Sequence, residues 1–258
     1  MRRSIVTAMA LAATVALFGQ SEFRKVENNA FDVGEKLTYS IKYGFVTAGQ
    51  AVIEIPRIKR VAGRDAYNIK LQVNSLPSFD FIYTVRTWYE SYLDVESIIP
   101  WRFEQHIRET NFSNDYSAFF DQRSHKAKTT EGTYDIPPNT QDIISAYYYT
   151  RTMDFTKMKK GDRVTLVNFY DGKLHDLDVV YLGKERVTVE AGTFDCIVVE
   201  PLVLEGGFFK SEGDIVLWMT DDELKIPVLV NAKVPVGSLD VELMKYEGLA
   251  GELKSRVK

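Results

Sequence analysis

From residue 36 onward apolar and polar side chains alternate with a period of two, and no other feature restricts the fold of this chain as much. Leu37, Tyr39, Ile41 and Tyr43 are set against Lys36, Thr38, Ser40 and Lys42, the pattern of a strand with one face in a core and the other in water. The pattern returns in Ala51, Ile53 and Ile55 after Gly49, and in Tyr67, Ile69, Leu71 and Val73 after the turn Gly63-Arg64-Asp65. Ten more strands are predicted near 86–94, 102–108, 115–122, 163–170, 174–182, 186–189, 194–200, 213–219, 227–232 and 239–246. Their connections are short and carry Gly, Asp or Pro. Asp171-Gly172 signals a type I′ hairpin, a turn that needs two residues at positive φ.

One segment breaks the alternation. Between 140 and 155, Ile144, Tyr148 and Phe155 fall at helical spacing, Ile143, Ala146, Tyr147 and Thr150 line the adjoining stripe, and Asp142 stands where an acid complements the helix dipole. A chain of about thirteen short sequential strands and one helix reads as all-β. A single curved antiparallel sheet or incomplete β-barrel fits it best, with the inserted α-helix plugging one mouth or packing in the concave face. Two stacked sheets remain the alternative. No linker divides residues 21–258, which are expected to form one β-rich domain.

The first twenty residues have a different character. Met1-Arg2-Arg3-Ser4 is a short basic start and 5–18 is apolar without charge, the form of a secretory signal peptide with cleavage near Gln20 or Ser21. The apolar run falls short of the roughly 18 to 20 residues that cross a bilayer, and no second such run follows. The mature chain is therefore expected not to be transmembrane but to be periplasmic or otherwise exported. No Cys near the cleavage site could carry a lipid anchor.

Cys196 is the only cysteine, which excludes an internal disulfide and a cysteine zinc site. Lys and Arg number 32 against 36 Asp and Glu, with no basic run, so no nucleic-acid partner is expected. His106, His125 and His175 have no metal-site spacing. Cys196 shares a strand face with Phe194 and Val198 and reads as a small core hydrophobe. Nucleophile elbows, Walker loops, dinucleotide fingerprints and zinc-protease motifs are missing, so no catalytic residue, metal or cofactor is assigned. Aromatic residues make up 12% of the chain. Tyr147 and Tyr148 on the helix, Arg151 one turn on, and Phe208 and Phe209 after Gly206-Gly207 are the candidate ligand-binding residues: rings for an apolar body, a guanidinium for an acidic head, with pairing of Arg151 to an acid of the facing sheet as its structural alternative.

The segments 31–39 (Phe-Asp-Val-Gly-Glu-Lys-Leu-Thr-Tyr), Ala48-Gly49, the helix from Asp142 to Arg151, 192–201 around Cys196, 213–218 ending in Trp218, the Asp221-Asp222 turn and Pro227 together resemble the exported bacterial family known as domain of unknown function 3108, over about residues 31–248. The resemblance implies a mainly β fold and an envelope location, and it supplies no catalytic residue. The leading expectation is a non-enzymatic binder or carrier of a hydrophobic or amphipathic envelope component such as a lipid, lipoprotein or glycolipid. An envelope scaffold that contacts other proteins is the alternative, and a carboxylate-dependent hydrolase the third.

Overall fold

The computed structural model describes residues 23–203, 215–234 and 237–257. The leader expected at 1–20 and the pair Phe208-Phe209 lie outside the described residues. Fourteen strands pair into one antiparallel sheet: β1 (Lys36–Tyr43), β2 (Val46–Val61), β3 (Arg64–Ser75), β4 (Arg86–Asp94), β5 (Pro100–Glu109), β6 (Phe112–Asp121), β7 (Lys126–Thr129), β8 (Thr133–Asp135), β9 (Arg163–Tyr170), β10 (Lys173–Val189), β11 (Gly192–Val203), β12 (Ile215–Thr220), β13 (Pro227–Lys233) and β14 (Ser238–Glu247), with helix α1 (Ile143–Arg151) between β8 and β9.

Every strand pairs with its neighbours in sequence except at one place. β8 does not pair with β9; β1 pairs with β14 instead, from Lys36 opposite Glu247 to Tyr43 opposite Leu239. The sheet is thus a meander opened at the β8–β9 step, with the first and last strands meeting in its middle. Curvature brings the two open edges face to face. Tyr134 of β8 and Phe120 of β6 pack on Phe169 of β9 with ring centroids 5.5 and 6.0 Å apart, and Tyr116 of β6 meets Tyr170 at 5.6 Å. Gln141 supplies the backbone link, its N–H donating to Val167 O and its carbonyl accepting from Phe169 N, both at 2.8 Å. A ladder cannot continue along β8 because Pro137 and Pro138 follow it and offer no N–H. The result is barrel-like but not closed.

The bends lie where the register shifts. β2 shifts between Glu54 and Arg57, a step that contains Pro56, and β10 shifts between Tyr181 and Gly183, where Gly183 has φ +125°. Such bulges turn a strand and increase its twist. This one also corrects the expectation of two strands at 174–182 and 186–189: they are the single strand β10. The hairpin at Asp171-Gly172 has both residues at positive φ, +51° and +70°, as a type I′ turn requires. Its glycine is needed for a second reason, since a Cβ there would stand 2.9 Å from the Tyr134 hydroxyl across the gap.

The inward face of the sheet holds the core. Phe31, Leu37, Ile55, Ile69, Leu93, Phe103, Phe120, Tyr148 and Phe194 are all buried, and a second group around Leu177, Val179, Val199 and Met219 packs on the other side of the helix. A third, smaller cluster of Ala66, Tyr92 and Trp101 collects apart from these.

Candidate functional site

The helix is shorter than the spacing from 140 to 155 suggested, because it is capped at both ends. The Asp142 carboxylate accepts from the backbone N–H of Ile144 and Ser145 at 2.8 Å each, and the Ser145 hydroxyl accepts from the Asp142 N–H at 2.8 Å, a reciprocal capping box. At the other end the N–H of Thr152 turns back to Tyr149 O. The Ser91 hydroxyl of β4 donates to the second Asp142 oxygen at 2.7 Å and fixes the helix against the sheet.

Burial of Asp142 pushes its carboxyl up to about 6, against the hydrogen bonds from Ser145, Ser91 and Ile144 that favour the charge. The sign follows from linkage: an acid that holds its proton more tightly when folded stabilises the fold below its unfolded pKa near 4, and that contribution declines as the pH rises through 6. A shift of about two units corresponds to about 3 kcal/mol. Asn at this position still caps the helix, and the Ser91 hydroxyl can turn to accept from its amide. Asp142→Asn is expected to be at least as stable as the parent at pH 7 and to lose this part of the slope between pH 4 and 6. Chemical unfolding at several pH values checks both; an unchanged slope would show that Asp142 is not its source.

The two stripes of α1 do different work. Ile144, Tyr148 and Arg151, three to four residues apart, face the packed core. Ile143, Ala146, Tyr147 and Thr150, with Ile144 beside them, line an apolar cavity of about 430 Å³. The opposite walls come from strands on both sides of the β1–β14 pair. Ile53 and Leu71 are register partners on β2 and β3; Val179 pairs with Pro201, Val199 with Leu217, and Leu217 with Val230 across β10 to β13. Leu177, Ile215 and Met219 complete the lining. The volume lies in the range of small-molecule sites. The Thr150 hydroxyl is spent on Ala146 O at 2.9 Å, so the walls present hydrocarbon almost throughout.

Of the residues singled out from the sequence, Tyr147 lines this cavity. Tyr148 and Arg151 lie on the other side of the helix, both fully buried. Arg151 donates to both oxygens of Glu35 at 2.6 and 2.7 Å, to Ala30 O at 2.9 Å and to Leu224 O at 3.1 Å. The Phe31 and Tyr148 rings pack about it. The acid is therefore the protein's own, and the guanidinium is committed to it. Glu35 was not foreseen, and neither were the cavity walls, which in sequence are ordinary strand positions.

Cys196 is buried beside Phe194 and burial pushes its thiol up to about 12, which leaves it protonated and unreactive at neutral pH. A second, more open and polar hollow lies at 27–30, 151–156 and 220–225. Its two adjacent aspartates already have tasks in the fold: Asp221 pairs with Lys184, and Asp222 accepts from the Thr220 hydroxyl and from the N–H groups of Leu224 and Ser255. Among the described residues no group of three or more His, Cys, Asp or Glu side chains is placed to hold a metal, and no helix is long and apolar enough to cross a membrane.

The fold has counterparts among solved structures. The β-barrel-like protein of domain of unknown function DUF1849 from Brucella abortus matches with a TM-score of 0.55 at 12% identity, over 84% of this chain and 98% of that one. A protein described as a "putative lipoprotein" from Parabacteroides distasonis matches with a TM-score of 0.39 at 14% identity, over 85% of this chain and all of that one. No curated protein matches the chain. The model of the family described as protein of unknown function, DUF3108, matches residues 38–244, and with most of its length so covered this chain belongs to that family.

Proposed function

We propose that this protein is a non-enzymatic, exported envelope protein that binds the apolar part of a lipid or similar amphiphile inside its curved sheet. The observation that carries the reading is the cavity of about 430 Å³ between α1 and the walls built by β2, β3 and β10 to β13, lined almost wholly by hydrocarbon. A hydrocarbon lining gains both contact and shelter from water when an apolar group fills it. An acyl chain supplies both and asks for no hydrogen bonds from the walls. The basic and apolar character of residues 1–18 supports delivery to the compartment where such ligands occur.

The ligand's polar head lies outside. Of the lining, Pro201, Ile215, Leu217 and Val230, at the end of β11 and on β12 and β13, are only partly buried, so the hollow opens towards the end of the sheet away from the helix. Binding of cis-parinaric acid, whose emission rises in apolar surroundings, tests the reading. The parent chain is expected to bind it, and Val230→Phe, which fills the cavity from β13, is expected to weaken binding by about tenfold or more, the equivalent of about 1.4 kcal/mol, with its circular dichroism unchanged. Equal affinity in the two proteins, or no emission change in either, would overturn it.

A further inference from the structure

Large apolar side chains stand exposed at three adjacent hairpin tips at one end of the sheet. In an antiparallel meander alternate connections share an end, so the β1–β2, β3–β4 and β5–β6 connections lie together at the end to which the cavity opens. They carry Phe45 and Val46, Phe81 and Ile82, and Phe112, with Phe45 fully exposed and Phe81 84% exposed. The tips are tied into one rim. Leu76 N donates to Ala48 O at 2.9 Å, linking the first two, while Thr110 N donates to Thr84 O at 3.0 Å and the Thr110 hydroxyl accepts from Thr84 N at 2.7 Å, linking the last two.

Charge is sparse at these three tips. Residues 43–47 and 110–113 carry none, and 76–85 carry only Asp80, which is paired with Arg86. Behind the third tip Glu109, the register partner of Phe112, accepts from the Tyr83 hydroxyl, and Arg108 pairs with Asp115. The connections at the opposite end are more heavily charged, with Arg64 beside Asp94 and Glu96, the run from Asp121 to Lys126 with Arg123, and Asp221, Asp222 and Glu223, while the β7–β8 and β9–β10 turns, further round the same end as the apolar tips, carry Glu131 and Asp171.

We propose that this rim docks on the surface of a lipid bilayer. Uncharged aromatic and aliphatic tips enter the boundary between headgroups and acyl chains without desolvating a charge, while the ion pairs behind them stay at the level of the headgroups. A bilayer also suits the shape: five apolar side chains on three separate turns offer a folded partner no continuous flat face, whereas fluid lipid closes around each. The inference rests on the rim residues and not on the cavity, and stands whether or not the cavity holds a ligand.

Flotation with neutral phosphatidylcholine vesicles tests it, using full chain recovered from the soluble fraction. The parent is expected to float with the vesicles, with little dependence on salt. The triple variant Phe45→Ser, Phe81→Ser, Phe112→Ser, whose circular dichroism should match the parent because the three rings are exposed, is expected to reduce the bound fraction at least about tenfold. In a second measurement that leaves the rim apolar, Phe45→Trp is expected to show a blue-shifted emission on vesicles and quenching by brominated phosphatidylcholine. Equal flotation of parent and triple variant, no flotation of the parent, or an unshifted and unquenched Trp at 45 would overturn the proposal. So would a soluble protein partner lost with the same three substitutions while the parent ignores vesicles.

Discussion

Arg151→Met is expected to lower the free energy of unfolding by about 3–5 kcal/mol, the cost of leaving one member of a buried ion pair alone. The side chains of Arg151 and Glu35 are 0% and 1% exposed, and the guanidinium meets the carboxylate through both oxygens. Removing the arginine leaves the buried Glu35 charge with only the Tyr148 hydroxyl, at 3.4 Å, as a side-chain donor among the described residues. It also strips the carbonyls of Ala30 and Leu224 of their donors, and so unties the segment before β1 and the β12–β13 turn from the helix. Glu35→Gln should cost less than Arg151→Met, because an amide oxygen still accepts one of the guanidinium's bonds. The double change Glu35→Leu with Arg151→Met is expected to recover most of the loss, since apolar groups of similar size can replace a buried pair without penalty. Urea unfolding of the three variants checks this. A loss below about 1 kcal/mol for Arg151→Met, the range of exposed pairs, would show that water reaches the site.

Asp94→Ala is expected to have the next largest effect, about 3 kcal/mol. Asp94 ends β4 fully buried and gathers the turn that follows. One oxygen accepts from the Ser97 N–H at 2.9 Å, the Glu96 N–H at 3.0 Å, the Ser97 hydroxyl at 2.7 Å and Arg64 at 2.9 Å; the other accepts from Arg64 Nε and, at 2.9 Å, from the Trp101 indole. Deleting the carboxylate leaves these donors without an acceptor, including the indole N–H of a fully buried ring. Burial alone would raise this carboxyl, but the bonds from Arg64, Ser97 and Trp101 together outweigh it and hold it at about 2. A depressed pKa places the stabilisation above the unfolded value near 4, and it is lost as the pH falls towards 2; the amount is about 2 kcal/mol. The parent should therefore weaken in this interval by more than Asp94→Ala does. Parallel acid titrations of the two proteins would contradict this assignment.

Asp94 and Asp142 act in opposite directions. The first stabilises by being charged and the second by being neutral, because the donors around Asp94 include a guanidinium and those around Asp142 are two amides and hydroxyls. Between pH 6 and 4 Asp142 gains its proton while Asp94 keeps its charge, so these two groups together favour the folded state most strongly near pH 4.

Period-two alternation placed most of the sheet correctly, and β4 and β9 begin and end at the predicted residues. It works there because each strand has one face in the core and one in water. It failed where that contrast is weak or brief. β7 and β8, of four and three residues, are too short to show a period, and the bulge at Gly183 interrupted β10 enough to read as a turn. The open edge was foreseen as an incomplete barrel, but which edges would face one another was not legible, since that depends on side-chain contacts between residues up to 65 apart, such as Gln105 donating to Tyr170.

The candidate site was legible in part. Helical spacing located α1 and the tyrosine that lines the cavity. Glu35 reads as an exposed strand-end acid, and only its partner 116 residues later makes it a core residue. Nothing in a strand's own sequence distinguishes Leu177 or Val199 facing a cavity from Ile69 facing a packed neighbour, because both obey the same alternation. The exposed tips give no clear signal for a related reason. Phe81 and Tyr83 alternate as strand residues do, yet they belong to the β3–β4 connection, where the pattern has no sheet to refer to.

The central claim, a lipid-like ligand in the hollow beside α1, is tested most directly by native mass spectrometry on the protein recovered from the cells that make it, without detergent, before and after organic extraction. The expected result is one additional mass per chain that extraction removes and that is identified as an acyl-bearing molecule, absent from Val230→Phe prepared in the same way. A bare protein mass in gently prepared parent, or the same adduct at equal occupancy in Val230→Phe, would contradict it.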